Sequence, residues 1–86
     1  MAGGYWRTCR EEILSAIDEL ERRHGRHDFT PAEIIQEARA NGSTHAESSL
    51  RTHIVSYMCV NAPANHAHRP NELIRTSPGH YARYAR

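Results

Sequence analysis

Residues 29–60 read FTPAEIIQEARANGSTHAESSLRTHIVSYMCV, and this stretch decides the fold. At its start Thr30 can cap a helix and Glu33 can complete a capping box, with a proline at the first helical position. We therefore expect a helix over Pro31–Ala40. It should stop at Asn41-Gly42, because these residues tolerate the positive φ with which many helices end.

A second start signal follows almost at once. Thr44 and Glu47 have capping-box spacing, which predicts a further helix from there to about Val60. Asn61-Ala62-Pro63 should end it, because the residue before a proline is pushed out of helical geometry. So short a turn between two helices is typical of a helix-turn-helix, in which one helix projects from the domain and can enter a groove of DNA.

A first helix is predicted upstream, from Tyr5 to Arg23. Apolar residues recur there at steps of three and four, at Trp6, Cys9, Ile13, Ala16, Ile17 and Leu20. The opposite face is solvated and net acidic, which makes it a poor surface to lay against phosphates. We interpret this helix as scaffold, ended by Gly25 in the left-handed conformation.

The C-terminal region predicts a β-hairpin. Two strand-like runs, Glu72–Thr76 and Tyr81–Tyr84, flank the turn sequence Ser77-Pro78-Gly79-His80. With a brief strand at Phe29, the expected fold is α+β and mainly α: a winged helix-turn-helix of three helices plus a C-terminal β-hairpin wing. Residues 1–86 should form this one domain, because so short a chain has too little apolar material for two cores.

Several segments carry a resemblance to a known family. LIRTSPGHY at 73–81 resembles the wing of many bacterial winged-helix regulators, and FTPAEII at 29–35 resembles the entry to their second helix. More narrowly, residues 47–54 and 58–63 are similar to uncharacterised prokaryotic winged-helix domains, some attached to nuclease-like proteins. The resemblance implies a prokaryotic winged helix-turn-helix domain with a DNA-linked role.

The third helix has one apolar side and one polar side. A helical wheel turns inward its large apolar residues, Leu50, Ile54, Tyr57 and Met58. It turns outward a set of small or neutral polar residues, His45, Ser48, Ser49, Thr52 and Ser56. Short hydroxyl side chains without a carboxylate allow close approach to a duplex, and Arg51 at the edge can contact guanine with two hydrogen bonds. Alternatively, the same residues form an ordinary solvent-exposed helix surface that binds no partner.

The wing and the start of the third helix offer further candidate DNA contacts. Arg75, His80 and Arg83 can lie along the backbone or in the negative minor groove. Alternatively the hairpin only covers the core, which Leu73 and Tyr81 are expected to do in either case. Ser43 and Thr44 mark a possible phosphate site, because unpaired amides and the helix dipole both favour an anion.

Charge is distributed unevenly along the chain. Residues 1–37 hold five arginines and eight acidic residues, a net −3, whereas residues 38–86 hold six arginines and two acidic residues, a net +4. The second part is therefore the candidate anion-binding part. Every basic residue is arginine, which suits bidentate contacts to phosphate or guanine but follows equally from a biased genomic base composition.

Histidine and cysteine side chains can bind metal ions, but the spacing of these residues along the chain does not support a metal site. His66 and His68 beside Cys59 match no strong zinc motif, and we expect no metal and no cofactor. Cys9 and Cys59 are interpreted as reduced core residues. His45 and His53 give a second, separate hypothesis, a DNA affinity that changes with pH.

Other function classes are disfavoured by what the chain lacks. No nucleophile motif, phosphate-binding glycine loop or paired catalytic carboxylates indicate an enzyme, and no small-molecule substrate is evident. No apolar run reaches the roughly 20 residues of a membrane span, and the start of the chain does not look like a secretory signal, so a cytoplasmic, nucleoid-associated protein is expected.

The expected function is binding of double-stranded DNA, as a transcriptional regulator or DNA-processing accessory. A homodimer on a palindromic site is a further hypothesis. The competing function is a winged helix used only for protein–protein association, with Trp6 and the acidic first helix facing a partner.

Overall fold

The computed structural model describes residues 8–60 and 72–84. In chain order the elements are α1 (Cys9–His24), α2 (Pro31–Ala40), α3 (Glu47–Thr52), a π-helical turn (His53–Tyr57), β1 (Leu73–Ser77) and β2 (His80–Arg83). Three helices followed by an antiparallel hairpin make an α+β, mainly α, winged helix-turn-helix, so the predicted fold is confirmed.

Helix α1 begins and ends on local signals. The Thr8 hydroxyl accepts a hydrogen bond from the Glu11 amide while the Glu11 carboxylate accepts one from the Thr8 amide, which completes a capping box. Gly25 ends the helix at φ 71°, the left-handed conformation expected for it. The predicted apolar stripe is buried from Cys9 onward. The predicted start at Tyr5 is wrong, because Thr8 is extended and caps a helix that begins at Cys9. Tyr5 and Trp6 themselves lie outside the described residues.

Helix α2 has the predicted bounds and the predicted cap. The Thr30 hydroxyl accepts from the Glu33 amide, and the Thr30 amide donates to Glu33 Oε1 at 2.8 Å. This hydrogen bond from the Thr30 amide lowers the pKa of the Glu33 carboxyl below its ordinary value, and the Arg26 guanidinium, 2.7 Å away, lowers it further. A charged Glu33 at the first turn also suits the helix dipole.

The end of α2 uses residues that were predicted to start the next helix. Gly42, at φ 98°, donates its amide to the Arg39 carbonyl, and the Ser43 amide reaches back to the Ala38 carbonyl at 3.0 Å. This pair of bonds is a Schellman motif, which satisfies carbonyls that the helix end would otherwise leave unpaired. Ser43 is therefore part of the α2 terminus.

Helix α3 consequently starts later than predicted. Its N-cap is Ala46, with no side-chain capping bond, so the predicted Thr44–Glu47 capping box is wrong. Residues 41–46 separate the two helices, a longer connection than the one predicted. The helix is also shorter at its far end, since regular α geometry stops at Thr52 and the π-helical turn stops at Tyr57 rather than continuing to Val60.

The hairpin is fastened to the helices by backbone hydrogen bonds. Its register pairs Leu73 with Arg83 and Arg75 with Tyr81, with an irregularity before Ser77. Phe29 exchanges two backbone hydrogen bonds of 2.9 Å with Tyr81, which form an isolated antiparallel bridge and not the predicted brief strand, since the sheet of the described residues has two strands. The bridge ties the hairpin to the segment just before α2.

A single buried cluster joins the elements. It contains residues from α1, α2, α3, the π-helical turn and the hairpin, with Phe29, Ile13, Ile17, Ile34, Leu50, Ile54 and Leu73 fully buried. Cys9 and Cys59 lie in the core, as predicted, and are not joined by a disulfide; burial raises the pKa of the Cys9 thiol. An ion pair between Arg23 and the buried Glu37 carboxylate links α1 to α2 at 2.5 Å.

Removal of the two hydroxyls at positions 30 and 44 tests these helix starts. Thr30→Ala should lower the free energy of unfolding by about 1 kcal/mol, because a capping bond is lost. Thr44→Ala should change it by less than about 0.5 kcal/mol, because the exposed Thr44 caps no helix. Chemical denaturation of both variants measures this, and equal losses would contradict the observed start of α3.

Candidate nucleic-acid interface

The outer face of α3 has the composition predicted for it. Ser48, Ser49 and Thr52 are all exposed, while Leu50 and Ile54 on the opposite side are fully buried. The buried side packs on α1 and α2, so the hydroxyl side chains are presented to solvent. These three residues form what we call the hydroxyl face.

A π-helical turn changes the orientation of the residues that follow the hydroxyl face. The Met58 amide donates to the His53 carbonyl at 2.9 Å, a hydrogen bond one residue longer than an α-helix makes. Because this turn contains one more residue than an α-helical turn, each later side chain lies at a different angle around the helix axis from the one that α-helical periodicity predicts. Tyr57, predicted to be buried, is therefore 45% exposed, and that prediction is wrong, whereas Met58 is buried as predicted.

The turned-out Tyr57 helps to form a groove. Together with His53 and the hydroxyl face it lines a shallow depression of about 240 Å³. The rings of His53 and Tyr57 meet edge to face, with centroids 5.2 Å apart and planes at 75°. His53 Nδ1 lies 2.8 Å from the Ser49 carbonyl oxygen, which holds the imidazole in place.

Two other residues predicted on the outer side are less exposed. His45 is half-buried, with its amide donating to Ser43 Oγ at 3.3 Å and its Nε2 3.9 Å from the Glu12 carboxylate of α1. Ser56 is also half-buried, in the π-helical turn. Both lie at the margin of the hydroxyl face rather than at its centre.

Arg51 lies beside the hydroxyl face and has an acidic neighbour. Its guanidinium donates to the Glu47 carboxylate one turn earlier, at 3.2 Å, and both side chains are about half exposed. A carboxylate therefore stands at the edge of the face, although none lies on the face itself.

The wing residues have different surroundings. Arg83 donates to the Asp18 carboxylate of α1 at 2.7 Å and is 23% exposed, so it ties the hairpin to the first helix. Arg75 is exposed on β1. His80 is half-buried at the turn, where its carbonyl accepts a hydrogen bond from the Thr76 hydroxyl at 3.3 Å. Leu73 and Tyr81 cover the core, as predicted.

The predicted phosphate site at Ser43 and Thr44 does not lie at a helix start. Ser43 belongs to the end of α2, and α3 begins only at Glu47. The amides and dipole that were expected to favour an anion are therefore absent from these two residues.

Most arginines of the described segments are paired with carboxylates. The paired residues are Arg10, Arg22, Arg23, Arg26, Arg51 and Arg83. Arg39 differs from these six: it is exposed in the last turn of α2, and its guanidinium has no ion-pair partner among the residues placed by the structure. Sequence reasoning did not select Arg39, although a cation in the last turn of a helix is a recognisable signal.

Comparison with known proteins gives one finding. Residues 8–83 match the family described as Domain of unknown function (DUF7669), which is nearly the whole chain. The chain belongs to this family. No curated protein and no solved structure matches it.

Two further features of this DUF7669 member concern metal and membrane. Within residues 8–60 and 72–84, no three His, Cys, Asp or Glu side chains are arranged to hold a metal ion. His66 and His68, named in the metal hypothesis, lie outside those ranges. Among the helices described, none has the length and apolar content needed to cross a membrane.

The two tyrosines at positions 57 and 81 allow a test of the π-helical turn. Tyr57→Ala should cost less than about 1 kcal/mol of unfolding free energy, because the residue is 45% exposed and lies outside the buried core. Tyr81→Ala should cost about 3 kcal/mol, because that ring is buried in the core. A loss at Tyr57 as large as that at Tyr81 would place Tyr57 inside and contradict the turn.

Proposed function

We propose that this protein binds double-stranded DNA, with the hydroxyl face of α3 in the major groove and the hairpin wing on the backbone or minor groove. The observation that carries the proposal is the exposed hydroxyl face itself, held outward on the second helix of a helix-turn-helix by the buried Leu50 and Ile54. Winged helix-turn-helix domains bind DNA through this helix.

The chemistry of the face fits a duplex. Serine and threonine are short, so the helix axis can come close to the base edges, and each hydroxyl can both donate to and accept from bases or phosphates. No charged group of either sign lies on the face, so bases are read by hydrogen bonding and shape while charge contacts come from its edges.

The ion pair of Arg51 is compatible with a role in base reading. An exposed pair such as Arg51–Glu47 contributes about 0–1 kcal/mol, whereas a good bidentate contact with guanine discriminates by about 1–3 kcal/mol. The ion pair with Glu47 therefore costs little to break when Arg51 contacts a base. Arg39, exposed and unpaired within the described segments, adds a phosphate contact near the turn.

The biological setting follows from the DNA proposal. A domain this small suits a transcriptional regulator or an accessory to a DNA-processing enzyme, located in the cytoplasm with the nucleoid. A homodimer would place two copies of α3 on successive turns of a palindromic site.

A second candidate function is protein association without DNA. Two observations favour it: the arginines of the described segments are largely neutralised by carboxylates, and the large rings of Tyr57 and Tyr84 are 45% and 47% exposed. Exposed aromatic residues are common at protein interfaces. The two candidates differ in the expected effect of a negative charge added to the hydroxyl face: if this face meets DNA, the added charge should weaken duplex binding.

A single added carboxylate distinguishes these candidates. Thr52→Glu should lower affinity for a duplex at least about 10-fold, because it puts a negative charge on the face that meets the phosphates and bases. Arg22→Gln on α1 is the control, since it changes net charge equally at an exposed residue whose ion-pair partner among the described residues is Glu19 of the same helix. Fluorescence anisotropy with random-sequence duplexes at about 50 and 200 mM salt measures this, with wild-type affinity falling at least about 10-fold between them. Absence of wild-type binding at low salt would contradict the proposal.

Two arginine variants separate base reading from backbone contact. Arg51→Ala should relax sequence preference, because a base contact is lost, whereas Arg39→Ala should weaken binding to all sequences alike, because a phosphate contact is lost. Sequence selection from random duplexes measures the first effect, and anisotropy with unrelated duplexes measures the second. A parallel loss on every sequence from both changes would contradict the separate roles.

A further inference from the structure

The groove beside the hydroxyl face contains two side chains that the proposed function does not yet use, His53 and Tyr57. Both rings follow the point where α-helical geometry gives way to the π-helical turn, and they touch each other edge to face. Side chains on the exposed side of a recognition helix can contact base edges through hydrogen bonds and apolar surface.

The hydrogen bond of His53 determines which chemistry its free nitrogen can offer. The Ser49 carbonyl oxygen can only accept, so Nδ1, 2.8 Å away, is the nitrogen that carries the proton. In the neutral imidazole the other nitrogen, Nε2, is then an acceptor. His53, which lines the groove beside the hydroxyl side chains, therefore has its hydrogen-bond acceptor at Nε2.

An acceptor in the major groove selects among bases. Adenine N6 and cytosine N4 carry amino donors there, whereas guanine presents only the acceptors N7 and O6, which repel the lone pair of Nε2. His53 is thus suited to an exocyclic amino group.

Tyr57 supplies the second half of the pattern. Its ring is exposed next to His53 and offers an apolar surface at the groove. The apolar group available in the major groove is a methyl at carbon 5 of a pyrimidine, and aromatic side chains contact it.

Resting on the proposed function, we infer that His53 and Tyr57 together recognise an exocyclic amino group beside a C5-methyl group. Two sources present this pattern: an A·T pair, with the amino group on adenine and the methyl on thymine, and 5-methylcytosine, with both on one base. An unmodified G·C pair has the amino group but lacks the methyl.

The test begins with selection from two random duplex libraries, one with cytosine and one with 5-methylcytosine, at about pH 8, where histidine is ordinarily neutral. Wild type should enrich a motif with an A·T pair or a 5-methylcytosine at one position. His53→Ala should lose the preference there and keep the rest of the motif, whereas His27→Ala, which removes an exposed histidine outside the interface, should keep the whole motif.

The methyl group is then removed without changing the protein. Uracil for thymine, or cytosine for 5-methylcytosine, at that position should weaken wild-type binding about 3- to 10-fold, the effect of one favourable contact. Tyr57→Ala should show less than about 2-fold difference between the paired duplexes, because the ring that senses the methyl is gone. Tyr57→Phe, which keeps the ring, and Tyr84→Ala, which removes another exposed tyrosine, should both retain the full difference.

The outcomes separate this inference from the proposed function. Duplex binding with no effect of methyl removal, or with an equal effect in Tyr57→Ala, would overturn the inference and leave DNA binding intact. A motif unchanged by His53→Ala would also overturn it. Failure of wild type to bind any duplex would overturn both.

Discussion

Burial of Leu50, Ile54 and Met58 against the first two helices is the constraint on which the rest depends. These residues are at most 1% exposed, and they fix which side of the third helix faces solvent. Because burial of each such side chain contributes on the order of 2 kcal/mol, a rotation that exposed them would cost much of the stability of so small a domain. The hydroxyl face is the necessary counterpart of this apolar side.

The π-helical turn resolves a conflict between helix and sheet. The chain must leave the helix at Met58 so that its carbonyl can accept from the Leu73 amide at 2.9 Å, and the Val60 amide can donate back to the Leu73 carbonyl at 2.8 Å. One extra residue in the last turn meets this requirement and keeps Ile54 and Met58 buried. The same extra residue leaves Tyr57 exposed, so that its side chain lines the groove at the end of the helix. π-helical turns are frequent at functional sites.

The parts of the fold that could be predicted are those specified by neighbouring residues. The cap of α2 depends on Thr30 and Glu33, three positions apart, and the hairpin on a short Pro-Gly turn, so both were readable. The start of α3 could not be predicted in this way. Ser43 and Thr44 satisfy the rules for a helix start, but the Ser43 amide is used in the Schellman motif that ends α2. Two local signals competed, and the sequence pattern does not rank them.

The candidate site was predictable in composition and less so in geometry. Ser48, Ser49 and Thr52 followed from helical periodicity, but an inserted residue in the π-helical turn leaves no trace in that period, so the exposure of Tyr57 could not be foreseen. The pairing of Arg83 with Asp18 joins residues 65 positions apart and needs the folded chain.

The central claim is that the hydroxyl face of α3 meets DNA, and nuclear magnetic resonance of the labelled protein during titration with a duplex tests it most directly. Amide shifts concentrated at residues 48–57, with smaller changes on the hairpin and none along the acidic side of α1, are the expected result. Shifts confined to α1, or no shifts at a low salt concentration, would show that this face does not bind the duplex.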